Sequence, residues 1–125
     1  MKTLIVIFSL LMPLSFEQPN IAAVTKALGE GDVATLSTYL DTSVELTILA
    51  SQNVYNKAQA ATVLTDFFAK NKPRSFNAVH QGSSKGSSSH YTIGDLSSTT
   101  GTYRVYLYYK SIGEKPVIQE IRIEK

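Results

Sequence analysis

At Pro73 the spacing of apolar residues changes from a period of 3.6 to a period of 2 and does not change back, which restricts the possible folds more than any other feature. Four alternating segments follow: Ser75 to Gln81, Ser89 to Leu96, Thr102 to Lys110 and Lys115 to Glu124. Residues 82–88, 97–101 and 111–114 connect them, each stretch polar and containing glycine. Connections this short leave no room for a crossover, so the four strands form an antiparallel meander.

Before Pro73 the pattern is mostly helical. Ile21, Val24 and Leu28 recur at i, i+3 and i+7 ahead of Gly29 and Gly31, a short helix ended by glycine. Asp32 caps a second helix with the stripe Val33, Leu36 and Leu40. Val44, Leu46 and Ile48 alternate with Glu45 and Thr47 as a half-buried strand, and Asn53 turns into a short Val54-Tyr55 piece. Asn56 and Gln59 are spaced as a capping box before Ala60, Ala61, Val63, Leu64, Phe67 and Phe68, the strongest helix in the chain. Lys70 and Lys72 suit its negative end, and Pro73 stops it.

Turn chemistry decides which sheet face is buried. Read as three-residue loops with a left-handed glycine, Thr99-Thr100-Gly101 sets Ser98 opposite Thr102, and Ile112-Gly113-Glu114 sets Tyr109 opposite Val117. Tyr91, Ile93, Asp95, Tyr103, Val105, Leu107, Tyr109, Val117, Gln119, Ile121 and Ile123 then face the helices. Thr92, Leu96, Arg104, Tyr106, Tyr108, Lys110, Ile118, Glu120 and Arg122 face outward, a surface too aromatic to be idle. His80 shares the strand face of Phe76 and Ala78. The candidate cavity-lining residues are therefore His80, Tyr91, Asp95, Tyr103 and Gln119, and the candidate interface residues are Leu96, Arg104, Tyr106, Tyr108 and Ile118.

The first residues differ in kind from the rest. Lys2 precedes an uncharged run from Thr3 to Phe16 whose centre is Leu4 to Leu14, the layout of a secretory signal peptide. The run is well short of the ~20 apolar residues that span a bilayer, so an uncleaved anchor is the weaker reading. With a cut between Ser15 and Gln18, residues 1–17 are a signal peptide and residues 18–125 one exported domain, periplasmic or secreted, with no membrane span after cleavage.

The 125 residues include no cysteine, which excludes a disulfide scaffold, a thiolate metal site, a thiol nucleophile and a lipidated N-terminal cysteine. Two histidines are too few for an all-His metal cluster, and neither metal nor cofactor is expected. Without Lys2 the chain carries 11 bases and 10 acids, a balance that gives no reason to propose nucleic acid or an anionic membrane as partner. Charge is segregated along the chain: residues 17–69 hold two bases against six acids, residues 70–125 nine bases against four acids. Mutual packing of the two halves is the plain account, and a basic sheet face for an anionic ligand the sharper one. The loop from Gly82 to Ser89 offers hydroxyls and one lysine, yet it lacks the Gly-Lys-Ser/Thr order of a phosphate loop and joins two strands, so it reads as a hairpin connection.

The order helix, helix, strand, short strand, helix and four antiparallel strands resembles the nuclear-transport-factor-two-like superfamily, as does the second-helix start Gly31-Asp32-Val-Ala-Thr-Leu-Ser-Thr-Tyr-Leu40. Asp66-Phe-Phe-Ala-Lys70, Pro73-Arg-Ser-Phe76, His80-Gln-Gly-Ser-Ser-Lys-Gly86, Tyr91-Thr-Ile-Gly94 and Tyr103-Arg-Val-Tyr106 together resemble a secreted bacterial domain-of-unknown-function family, number 4783. The resemblance covers nearly the whole mature chain. It implies an α+β cone in which N-terminal helices pack on a curved antiparallel sheet, and it carries no assigned activity and no catalytic residues.

Enzymes on this cone, such as ketosteroid isomerases and polyketide cyclases, set an Asp or His base and a Tyr or Asp oxyanion donor in a cavity. His80, Asp95, Gln119, Tyr91, Tyr103 and Tyr109 are residue types that suit proton transfer, but their spacing identifies no such enzyme, and a histidine satisfied by a neighbouring hydroxyl or carbonyl is the plainer reading of His80. His90, beside the serine-rich loop, reads as exposed. The expected function is a non-catalytic binding or assembly domain of the bacterial cell envelope. Its sheet face or cavity would take an envelope protein or a small ligand, with a homodimer formed through the outer face. The alternative is a small cofactor-free isomerase or cyclase using His80 and a tyrosine. A pocket enclosing His80 and Asp95 favours the enzyme; a cone filled by Phe67, Phe68, Leu107 and Ile121 favours binding at the surface.

Overall fold

The structure is a computed structural model that describes residues 20–84 and 88–125. The signal-peptide reading of residues 1–17, and Lys85, Gly86 and Ser87 of the serine-rich loop, lie outside the described residues. The elements run α1 (Ala22–Glu30), α2 (Val33–Ser37), β1 (Leu40–Ile48), β2 (Ser51–Asn56), α3 (Lys57–Lys70), β3 (Pro73–Ser83), β4 (Ser89–Ser98), β5 (Gly101–Ile112) and β6 (Lys115–Glu124). The strands form one curved sheet in the order β2-β1-β6-β5-β4-β3. The last four are the meander expected from the sequence, and β6 adds a parallel pairing with β1.

Local signals set the helix ends. Gly31 takes a left-handed φ of 68° after α1, and the N–H groups of Gly31 and Asp32 close on the Leu28 and Ala27 carbonyls. The Asp32 carboxylate caps α2 by accepting from the Thr35 N–H at 3.1 Å and the Thr35 hydroxyl at 2.6 Å, which holds its pKa below the usual carboxylate value. Asn56 and Gln59 form the reciprocal capping box of α3.

The helices cover one face of the sheet, α1 against β3 and α3 against β1 and β2. Between the layers, Val24 and Leu28 of α1, Leu36 of α2 and Leu64, Phe67 and Phe68 of α3 meet Val44, Leu46, Leu96, Val105, Leu107, Ile118, Ile121 and Ile123 of the strands. Each such side chain contributes roughly 1.5–3 kcal/mol on leaving water.

The register differs from the three-residue-loop reading, and the difference moves side chains between faces. Ser98 pairs with Gly101 across the two residues Thr99-Thr100, and Ile112 with Lys115 across Gly113-Glu114. One residue fewer in the β4–β5 loop turns β4 over relative to β5. Thr92, Gly94, Leu96 and Ser98 face the helices, while Tyr91, Ile93, Asp95 and Ser97 face outward. In β6 the shorter loop is offset by a bulge that leaves Gln119 without a partner on β5, between the pairs Tyr109–Ile118 and Tyr108–Glu120. Ile121 and Ile123 thus return to the inside, but Ile118 takes the inner place assigned to Val117.

Candidate functional site

Three rows of side chains cross the outer face of β4, β5 and β6, a face no helix of the described residues covers. Tyr91 pairs with Tyr108 and then Glu120; Ile93 pairs with Tyr106 and then Arg122; Asp95 pairs with Arg104 and then Glu124. Side chains directly opposite on one face stand ≈ 4.5–5.5 Å apart at Cβ. Tyr91, Ile93, Tyr106 and Tyr108 therefore form one contiguous patch bounded by charge. Arg104 Nε donates to Asp95 Oδ1 at 2.8 Å, and Arg122 lies 3.4 Å from Glu120, 3.9 Å from Glu124 and 5.7 Å from the centre of the Tyr106 ring. Exposed ion pairs of this kind add ~0–1 kcal/mol each to stability. Their weight falls on what the face can recognise.

A glycine holds the patch flat at its β3 side. Gly82 pairs with Tyr91, and a Cβ placed on Gly82 would lie 2.5 Å from atoms of the Tyr91 ring. The ring therefore rests on the bare backbone of β3, using the absence of a side chain as its seat.

The inner face is filled. Phe67 and Phe68 are 6% and 5% exposed, Leu107 0% and Ile121 1%. Its hydroxyls are engaged: Tyr103 donates to Asn71 Oδ1 at 2.9 Å, and Tyr109 shares a 3.0 Å hydrogen bond with Thr92 in the core. Burial pushes the Tyr109 phenol above its usual pKa, partly opposed by that bond. His90 stacks on Tyr109 with ring centres 5.6 Å apart and shares a 2.6 Å hydrogen bond with Ser83, so it is half-buried rather than exposed. Among the described residues the surface has open clefts, including one of about 460 Å³ between the start of α1 and the β5–β6 turn and another of about 420 Å³ beside the end of α3. Neither is lined by His80 or Asp95. Among the described residues no three His, Asp or Glu side chains group as metal ligands, and no helix is long and apolar enough to cross a membrane.

The expected cavity set is dispersed. A bulge between Ala78 and His80 inserts Val79, so His80 pairs with Ile93 and stands exposed on the outer face, not beside Phe76. Tyr91 and Asp95 are outside because β4 is turned over, and Gln119, at its bulge, reaches Asp41 at 3.4 Å. Tyr103 alone of the five lies inside, 4% exposed. Of the expected interface set, Arg104, Tyr106 and Tyr108 are on the outer face, whereas Leu96 and Ile118 are 0% exposed in the core. Beside Arg104 the place expected for Leu96 is taken by Asp95, and beside Tyr108 the place expected for Ile118 is taken by Glu120, while Ile93 and Tyr91 join the face next to Tyr106 and Tyr108. The chemistry of Asp95 held the missed signal: a carboxylate has no place on an apolar inner face without a partner, whereas the alternate residues Thr92, Gly94 and Leu96 do.

No curated protein matches the sequence significantly. Three solved structures show what the chain is similar to. A DUF4783 family protein from Bacteroides ovatus shares 33% identity over 87% of this chain and 97% of its own, with a TM-score of 0.80. Another from Bacteroides uniformis shares 35% over 82% and 94%, with a TM-score of 0.76. An NTF2-like (nuclear-transport-factor-two-like) protein of unknown function from Cytophaga hutchinsonii is 10% identical over 82% and 83%, and its TM-score of 0.58 shows the shared fold alone. The sequence profile described as "Domain of unknown function (DUF4783)" matches residues 21–124, and the chain belongs to this family.

Proposed function

We propose that the domain is a non-catalytic binding module of the cell envelope that works as a homodimer joined through the outer face of its sheet. The observation that carries this reading is the contiguous patch of Tyr91, Ile93, Tyr106 and Tyr108 on an otherwise charged, uncovered face. A two-fold axis through such a patch lets one surface meet itself. The flanking charges, Arg104, Arg122 and Lys110 against Asp95, Glu120, Glu124 and Glu45, offer each sign an opposite across the axis. An aromatic centre within a charged rim is the anatomy of a protein–protein interface, which at ordinary size buries ~800 Å² per partner. Export is supported by the leader-like run behind Lys2. The isomerase or cyclase alternative has less support: His80 and Tyr91 stand on the outer face, apart from the inner hydroxyls of Tyr103 and Tyr109.

The test is light scattering on the wild type and on Tyr106→Glu, with Thr62→Glu on the exposed side of α3 as the control. At micromolar concentration Tyr106→Glu should convert a dimer into a monomer with an unchanged circular dichroism spectrum, while the control stays dimeric. A wild type that remains monomeric at high concentration refutes the reading.

A further inference from the structure

The sheet has two free edges, and they are built differently. β3 begins at Pro73, which has no N–H to donate, and its pairing with β4 shifts between Pro73 and Ser75 and again between Ala78 and His80. Proline and bulges are how natural sheets blunt an edge. β2 has neither: Ser51–Asn56 pairs with β1 residue for residue, with no charge, proline or glycine. Among the described residues no strand pairs with its far side. Every second residue there turns its N–H and C=O away from β1. Val54, on the outer face, is 67% exposed, the highest value for a large hydrophobic side chain among the described residues.

We propose that β2 pairs antiparallel with β2 of a second copy about a two-fold axis through Val54, joining two sheets edge to edge. The strand is complementary to itself in that register. Val54 covers its own equivalent, and Gln52 comes opposite Asn56 with no like charges facing each other. The Gln52 amide already donates to Glu45 and Asn56 Oδ1 accepts from the Gln59 N–H; because the Asn56 N–H donates to Gln59 Oε1, the new rungs rest on the N–H groups of Gln52 and Val54. Each Glu45 stands one strand behind Val54. The two carboxylates are then three strand spacings apart, ~14 Å, beyond the ~8 Å screening length of physiological salt. The bulged edge of β3 cannot extend the ribbon in register, so the contact closes on two copies. It uses residues separate from the outer-face patch, stands independently of that reading, and as a short strand pair is the weaker contact, populated at high local concentration.

A chain without cysteine makes the test direct. Val54→Cys, Gln52→Cys and Thr62→Cys are prepared in the full chain, in both the wild-type and Tyr106→Glu backgrounds, and mildly oxidised at high protein concentration. Equivalent residues 54 would have Cα atoms ~4.5–5.5 Å apart, within disulfide reach, whereas equivalent residues 52, four positions out of step, would be ~13 Å apart. Val54→Cys should form disulfide dimers at least roughly tenfold faster than the other two in both backgrounds, as held thiols do relative to colliding ones. Cross-linking of Val54→Cys no faster than Thr62→Cys, or of Gln52→Cys as fast as Val54→Cys, overturns the proposal. Persistence in the Tyr106→Glu background separates this contact from the outer-face dimer.

Discussion

Gly94→Ala tests the packing logic of the sheet where it is tightest. Gly94 lies on the inner face of β4, and a Cβ there would sit 2.4 Å from Cζ of Phe76 and 2.6 Å from the Asn77 carbonyl oxygen. The ring can move only by giving up its place against the core, and the carbonyl belongs to the neighbouring strand, so β3 and β4 would have to part. Overpacking of this kind costs ~1–3 kcal/mol. Displacing the half-buried ring adds about 1 kcal/mol, and the gain from replacing a strand glycine returns roughly 0.5–1 kcal/mol. The net expectation is a loss of about 2–3 kcal/mol, or roughly 8–12 °C in Tm for a domain of this size. Urea unfolding followed by circular dichroism measures it, in a cycle with Phe76→Ala. Because the ring is half of the conflict, the double variant should be about 1 kcal/mol more stable than the sum of the single losses. A Gly94→Ala protein within 0.5 kcal/mol of the wild type, or strictly additive losses, would refute the account.

Asn71 ties the end of α3 to the β4–β5 hairpin, accepting from Thr100 Oγ1 at 2.5 Å and Tyr103 at 2.9 Å while donating to the Phe67 carbonyl at 2.9 Å; Asn71→Ala should cost about 1–2 kcal/mol in urea unfolding, since it removes the shared acceptor and leaves the Thr100 and Tyr103 hydroxyls only their 3.0 Å bond to each other. Leu49, half exposed with φ of 56°, holds the left-handed backbone of the β1–β2 turn without being glycine; Leu49→Asn should raise stability by about 0.5–1 kcal/mol in thermal unfolding, because asparagine tolerates that region. The Asp32 cap gives a pH dependence of known sign: its folded pKa is depressed, so its contribution is present above the unfolded value of ~3.9 and is lost as pH falls through the lower folded value. Asp32→Asn keeps an acceptor at the cap, and its acid-unfolding curve should be flatter over that interval.

Helix starts and the four strands after Pro73 were legible because their signals are local: Asp32, the Asn56/Gln59 pair, Gly31 and the alternation after Pro73 each act within a few residues. The first two strands were misread: Leu40, taken into the second helix, opens β1, and Asn53, taken as the turn, lies within β2 because the turn is at Leu49-Ala50. Face assignment was not, because it accumulates every one-residue choice along the meander. A glycine at position 101 suits a three-residue loop, but its φ of 133° serves the first residue of β5 instead. That single step sent Leu96 inside and Tyr91 and Asp95 outside. The bulges at Val79 and Gln119 have no sequence mark of their own, and one of them moved His80 across the sheet. Tyr106 and Tyr108 were placed correctly because β5 kept its own alternation, so the centre of the candidate site was readable while its neighbours were not.

The parallel pairing of β1 with β6 has a kinetic consequence. β6 is made after every other described strand, yet it occupies an interior position of the sheet, with Leu46 opposite Ile121 and Leu107 on its other side. Until it arrives, the β1–β2 hairpin and the β3–β4–β5 meander are two fragments with four open edges between them instead of the two of the finished sheet. Both fragments can form quickly from local contacts, but joining them needs a large loop to close. This topology predicts folding limited by the joining of β6, and a chain shortened before Lys115 should leave unpaired strand edges at the seam where β6 belongs.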